Sequence, residues 1–361
     1  MNLHPYSAED LGPLAPLLAD DTATEIMVDR PDRIYVERQG RLEDVDAHFD
    51  DAAHVLQVIR ALLAPMGRTI DEAHPLLDAR LPSGARMNVV LPPIAVDGPT
   101  LVIRKFRKRE LSFDDLIGFG SLSPQIAVFL RACVLGRKNM LISGGTGSGK
   151  TSIMNLLAGM IPDDERIITI EIATELILPQ KRVVRLESRP PDAEGRGEVT
   201  VRELVLNALR MRPERLIVGE LRGGEIWPLL QAINNGHDGS MTNIHANSPH
   251  DALTRSEYMA TSADPSVPLL NVRQQLVSAI DLIVQQTRLS DGSRKLTNIT
   301  EVVRLEREMI MLQDIFTFVE TSRNEQGRIL GRFSGTGYIP SFLTKLQEMK
   351  LDVPAELFMP M

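Results

Sequence analysis

The run Gly144-Gly145-Thr146-Gly147-Ser148-Gly149-Lys150-Thr151 fits the pattern G-x-x-x-x-G-K-[ST]. Glycines in such a run let successive backbone N–H groups turn inward and hold phosphate oxygens. The lysine, here Lys150, reaches the β- and γ-phosphates, and the hydroxyl of Thr151 ligates Mg2+. The apolar strand pattern Met140-Leu141-Ile142 precedes the loop, and a helix-forming run follows it. A strand feeding a helix through a glycine-rich turn is the context this chemistry needs, so ATP with Mg2+ is the expected ligand.

The hydrolytic step needs acids near the metal and the attacking water. Leu216-Ile217-Val218-Gly219-Glu220 is a second apolar strand pattern that ends in an acid. P-loop enzymes carry such an acid beside the metal. Gly219 stands where an aspartate is often found, so Glu220 is expected to support Mg2+ through a water. The 70 residues from Lys150 to Glu220 leave room for one more strand. Residues 167–171 supply it, and Ile172-Ala173-Thr174-Glu175 follow. A carboxylate at that strand end can orient or polarise water. Glu171 and Glu175 are four apart, so both reach one site if the turn is helical. His237 and His245 flank a short strand pattern. Without a partner cysteine or zinc-like spacing they do not read as a metal site. Beside a phosphate site, such a histidine can hydrogen-bond the γ-phosphate.

These residues need elements to hold them. From residue 125 onward strand and helix patterns alternate, as in α/β folds. Helices are expected at 125–134, 151–160, 201–211 and 225–234. Strands are expected at 139–143, 166–171, 182–186, 216–219 and 240–244. The chain turns helical again after about residue 270, then β-like at 282–286 and 296–303, and alternates through 308–338. Before this lies a smaller α+β pattern. It has strands at 24–29, 33–38 and 101–106, a helix at 51–64 and a hairpin around Pro82-Ser83-Gly84. The expected turn Gln39-Gly40 closes the second strand. The domain reading is therefore 1–106 for an N-terminal α+β domain, 107–123 for a charged, glycine-punctuated linker, and 124–361 for the nucleotide-binding domain.

Composition bounds the rest. The chain has 361 residues, 43% hydrophobic and 24% charged, which excludes disordered and collagen-like classes. A single cysteine, Cys133, forms no internal disulfide and points to a reducing compartment. The net charge of −8 argues against a protein that wraps nucleic acid, so no direct nucleic-acid contact is expected. No stretch is long and apolar enough to cross a bilayer, and no signal-peptide pattern opens the sequence. The expected location is the cytoplasm, with membrane association only through partners.

Residues 144–247 resemble the secretion ATPases of type II and type IV secretion and of type IV pili, most of all the tight-adherence (Tad/Flp) pilus ATPases. The strings LIVGELRGG (216–224), GHDGS (236–240) and IHANSP (244–249) carry the resemblance, with TEIMV (24–28), IRKF (103–106) and the run 313–337. It extends over roughly residues 11–340. The resemblance implies an α/β fold, with a RecA-like P-loop ATPase domain preceded by the smaller α+β domain. It implies a hexamer with nucleotide at subunit interfaces, acting on an inner-membrane platform protein to extend or retract a pilus. By position, Glu175 is the family's catalytic glutamate, Glu220 the Walker-B glutamate and His245 the histidine sensor. His237 matches a second family histidine placed with the nucleotide. Arg86 and Arg104 match arginines that reach the phosphates. Ile172 departs from the family's usual aspartate, and Asn235 and Asn243 replace threonines. Two other readings share these motifs: a DNA-transfer ATPase of conjugative secretion, and a nucleotide-gated structural ring with weak hydrolysis.

Overall fold

The structure is a computed structural model, and it describes residues 6–38, 41–105, 111–191 and 194–360. The chain divides into two compact units, Met1–Arg109 and Glu110–Met361.

In the first unit, Ser7 caps α1 (Ala8–Leu11), and α2 (Leu14–Ala19) follows. Then come β1 (Ala23–Arg30), β2 (Arg33–Arg38) and β3 (Arg41–Asp44). Next are α3 (Ala52–Leu63), β4 (Leu76–Arg80), β5 (Arg86–Val90) and β6 (Thr100–Arg104). All strand pairs are antiparallel, in the order β3-β2-β1-β6-β5-β4. The Asp51 side chain caps α3 by accepting the His54 N–H at 2.8 Å. The apolar face Val55, Val58, Ile59, Leu62 and Leu63 is fully buried against inward residues such as Ile26, Val36, Met87 and Ile103. β3 escaped the sequence reading because all four of its residues are exposed and so show no alternation. The expected turn at 39–40 and the end of the 101–106 strand lie outside the described residues.

The second unit opens with a correction. Residues 107–110 of the expected linker lie outside the described residues, but residues 112–118 are not linker. Ser112 and Asp115 cap each other's backbone at the start of α4 (Phe113–Gly118). Leu116 and Leu122 are buried in this unit's core. The glycines that suggested a linker end this helix: Gly120 takes φ +63°, and its carbonyl accepts Lys295 Nζ at 2.5 Å.

The elements that follow are α5 (Pro124–Leu135), β7 (Met140–Gly144), α6 (Lys150–Ala158), β8 (Ile167–Glu171) and β9 (Val183–Glu187). Then come α7 (Val201–Ala208), β10 (Arg215–Leu221), α8 (Ile226–Asn234) and β11 (Met241–His245). The chain continues with α9 (Pro249–Ala263), α10 (Leu269–Ala279), β12 (Leu282–Arg288) and β13 (Arg294–Glu306). It ends with β14 (Met309–Arg323), β15 (Ile329–Gly335) and α11 (Leu343–Glu348). One nine-stranded sheet runs β15-β14-β13-β12-β7-β11-β10-β8-β9. The six strands from β12 to β9 are parallel, and β13 to β15 add antiparallel. β7 and β8 are buried at every residue, as a parallel sheet covered on both faces requires. Alternate residues feed opposite layers. Ile142 and Ile217 pack with α5 and α6, whereas Leu141 and Leu216 pack with α7, α8, α9 and α10. α9 was not expected because its buried residues include only one large aliphatic, Leu253, beside Ala252, Ser256 and Ala260.

The amino end of the parallel strands is a structural hub. Arg215 is fully buried and bonds both oxygens of Glu165, at 2.7 and 3.0 Å. A Cβ on Gly239, at φ +81°, would sit 1.8 Å from the Arg215 guanidinium. Part of the GHDGS string is thereby explained by packing.

Candidate functional site

Parallel strands present their carboxyl ends along one edge, and the crevice there is where open α/β sheets bind ligands. Gly144, at the end of β7, pairs with His245, at the end of β11. β10 pairs with β8 through Val218 and Ile170, which brings Gly219 and Glu220 beside Glu171. The glycine-rich loop, Glu220, His245 and the Glu171–Glu175 turn therefore share this edge.

The loop is shaped for close approach. A Cβ on Gly144 would lie 2.2 Å from the Gln286 carbonyl oxygen and 2.5 Å from Ser148 Oγ. Gly147 and Gly149 take φ of +70° and +99°, a region that disfavours side chains. Gly145 and Thr146 complete the turn into α6. Ser148 is buried, and its hydroxyl has no hydrogen-bond partner among the described residues. Lys150 is buried at the start of α6, and its Nζ donates to the carbonyls of Gly144 at 2.9 Å and Gly145 at 3.0 Å. A buried ammonium over a glycine cradle fits a polyphosphate that would replace those carbonyls as its partner. Thr151, half-buried one residue on, offers the hydroxyl for Mg2+. Mg2+ in such sites takes one or two protein oxygens and otherwise phosphate and water. Thr151 and Glu220 are donors of that kind.

A chain of contacts leads away from Lys150. Its Nζ lies 3.3 Å from His245 Nδ1, and His245 Nε2 contacts Glu220 Oε1. Arg222 Nε holds the other Glu220 oxygen at 2.7 Å. Burial, and then the Lys150 charge, push the His245 pKa below its ordinary value. A neutral ring suits this place: Nδ1 accepts from the ammonium while Nε2 lies against the carboxylate. Thus Lys150, His245 and Glu220 come together at the carboxyl ends of the strands.

Glu171 does not share a site with Glu175 in the expected way. The segment after β8 bends and runs without helix. The Glu171 carboxylate turns back and accepts the Glu175 N–H at 2.9 Å and the Leu176 N–H at 3.1 Å. Glu171 is buried, and desolvation pushes its pKa up to about 7 against those hydrogen bonds. Gly219 makes room for it: a Cβ there would sit 2.9 Å from Glu171 Cγ. Gly219 thus replaces the usual aspartate for a packing reason. Glu175 itself is half-buried, and Ile172 is exposed.

His237 is not brought to the loop of its own chain. It precedes β11 at the amino end of the strands, where its Nδ1 lies 3.2 Å from the Pro213 carbonyl. Arg86 and Arg104 belong to the first unit, where they are cross-strand partners on β5 and β6. Arg104 Nε is ion-paired with Glu25 at 3.2 Å. Sequence reasoning missed two arginines. Arg80 lies opposite Arg86 on β4, which extends the row to three, and the hairpin register about Pro82-Ser83-Gly84 carried that signal. Arg294 donates from Nε to the Gly147 carbonyl at 2.8 Å, across from Arg288 on β12. Only the tertiary pairing of β12 with β7 brings it there.

With this geometry in view, residues 7–331 match the family described as type II/IV secretion system protein. The chain belongs to this family. Among its relatives is the type IV secretion system protein VirB11 of Bartonella henselae, 31% identical over 82% of this chain and 95% of that protein. The conjugal transfer protein TrbB of Rhizobium radiobacter is 33% identical over 80% of this chain and 85% of that one. The solved structure of the Legionella pneumophila ATPase DotB superposes with a TM-score of 0.58 at 20% identity, covering 81% of each chain, and so shares the fold. The secretion-protein family resemblance read from the strings around Glu220 and His245 is thereby shown. Among the described residues of this family member, no helix is long and apolar enough to cross a membrane.

Proposed function

We propose that this chain is a Mg2+-dependent ATPase, with a RecA-like P-loop domain from residue 124 onward, that works as a hexameric motor. The Lys150–His245–Glu220 chain beside the Gly144 cradle supports this reading most directly. Lys150 binds the β- and γ-phosphates, Thr151 ligates the metal and Glu220 supports it through a water. Mg2+ supplies charge neutralisation at the phosphates when bound. Glu175 orients the attacking water. His245 reports the γ-phosphate through Lys150 and Glu220. Arg86 and Arg104 supply positive charge to the phosphates. His237 joins the nucleotide from a subunit interface.

The work delivered is assembly or retraction of a Tad/Flp-type pilus, through an inner-membrane platform protein, with the ATPase on the cytoplasmic side. The name of the TrbB relative favours a second reading, DNA transfer in conjugation. The net charge of −8 counts against direct DNA contact in that role.

Phosphate release from Mg-ATP tests the reading. Lys150→Ala and Glu220→Ala are each expected to lose on the order of a hundred- to a thousand-fold in kcat. Turnover at the unsubstituted rate in both variants overturns the site. Turnover that rises steeply with added single-stranded DNA selects the conjugative reading over the pilus one.

A further inference from the structure

The segment that carries Glu175 has no helix or strand to hold it, yet four consecutive amides of it are bound. The Thr174 N–H donates to Glu187 Oε2 at 2.8 Å, and the Thr174 hydroxyl contacts the same oxygen. The Glu175 and Leu176 N–H groups donate to Glu171. The Ile177 N–H donates to Asn155 Oδ1 at 2.8 Å. Every acceptor is a side chain. Glu171 and Glu187 are cross-strand partners at the ends of β8 and β9. Asn155 comes from α6, the helix that opens with Lys150 and Thr151.

Side chains of the segment complete the fixation. Thr174 and Leu176 are buried, and Glu175 between them is half-buried. Nothing in this arrangement uses the side chain of residue 172, where Ile172 lies exposed. A backbone held by side-chain acceptors from three elements pays its ordering cost in the folded protein rather than at the reaction step.

We infer that Asn155, Glu171 and Glu187 are positioning residues, a side-chain cradle that aims Glu175 at the water attacking the nucleotide bound at 144–151. The inference rests on the assignment of Glu175 in the proposed function. Asn155 is the informative member because it ties the aim of Glu175 to the helix that holds the phosphate and the metal. Nucleotide binding at the start of α6 and water activation at Glu175 are then registered against each other by one hydrogen bond.

The experiment measures kcat for Mg-ATP, calorimetric affinity for Mg-ATP, and amide hydrogen exchange at residues 174–177 in the full chain. Asn155→Ala is expected to lower kcat about tenfold, leave affinity within about twofold and speed exchange at Ile177 about tenfold or more. Asn155→Asp keeps an acceptor oxygen and is expected to restore both readouts. In a Glu175→Gln background, Asn155→Ala is expected to cost nothing further in kcat, because the group it aims is gone. A kcat loss that adds in full in that background overturns the cradle and leaves Glu175 assigned. Unprotected amides at 174–177 in the unsubstituted protein overturn the cradle as well. Unsubstituted kcat in Glu175→Gln alone overturns the Glu175 assignment together with the inference.

Discussion

The loop at 144–151 and the turn at 172–177 stand on the same sheet edge and are built on opposite principles. In the loop, backbone conformation dominates. Gly147 and Gly149 take positive φ, Gly144 admits a carbonyl where a Cβ would clash, and Lys150 caps the loop's own carbonyls. In the turn, side chains from β8, β9 and α6 hold successive amides. A site built from backbone shape needs particular residues at fixed spacing. A site built from borrowed acceptors needs only that acids and amides from distant positions meet. The first kind concentrates its requirements in eight adjacent residues. The second scatters them from Asn155 to Gly219.

The contrast breaks most visibly at Gly144. In Gly144→Ala the added methyl would lie 2.2 Å from the Gln286 carbonyl, and a backbone atom cannot swing aside. The cost is expected to be about 3 kcal/mol of stability, with loss of Mg-ATP binding by calorimetry. A variant that binds nucleotide and melts like the parent would show that the loop does not need this approach.

This difference also sets how much the sequence reveals. The loop, the apolar strand ending in Glu220 and the expected strands are legible because period and spacing are local. Lys150, His245 and Glu220 meet because parallel strands bring their carboxyl ends together. The role of Glu171 is not legible. Four-residue spacing implies a shared helical face, but the chain bends and the carboxylate bonds the Glu175 backbone instead. Arg294 reaches Gly147 only through a sheet pairing about 140 residues away in sequence. The capped helix at 113–118 hid behind the glycines that close it, because glycine marks helix ends and linkers alike.

The turn carries a titration of its own. Burial raises the Glu171 pKa from 4.5 to about 7. Between those values the native protein keeps a proton that the unfolded chain has released. The stabilisation from this group is complete below pH 4.5 and is lost as pH rises through 7. Its full span is at most about 3 kcal/mol. Glu171→Gln removes the titrating group while keeping an acceptor oxygen. Urea unfolding at about pH 5 and about pH 8 is expected to show a smaller stability difference in the variant. An identical difference in both proteins would mean that Glu171 ionises normally.

The smallest change expected to couple β10 to the turn is Gly219→Ala. The added methyl would lie 2.9 Å from Glu171 Cγ and 3.4 Å from its Cβ. Glu171 Cγ, unlike the carbonyl at Gly144, can turn aside by a rotamer shift of the carboxylate arm, although its Cβ is held by β8. The expected cost is therefore only about 1 kcal/mol of stability. The displaced carboxylate would loosen its hold on the Glu175 and Leu176 amides, so kcat is expected to fall a few-fold with Mg-ATP affinity unchanged. Affinity reads the loop and kcat reads the turn, so one substitution separates the two halves of the site. Equal losses in both quantities would mean that the halves are not built independently, and that Gly219 serves the phosphate loop as much as the acid beside it.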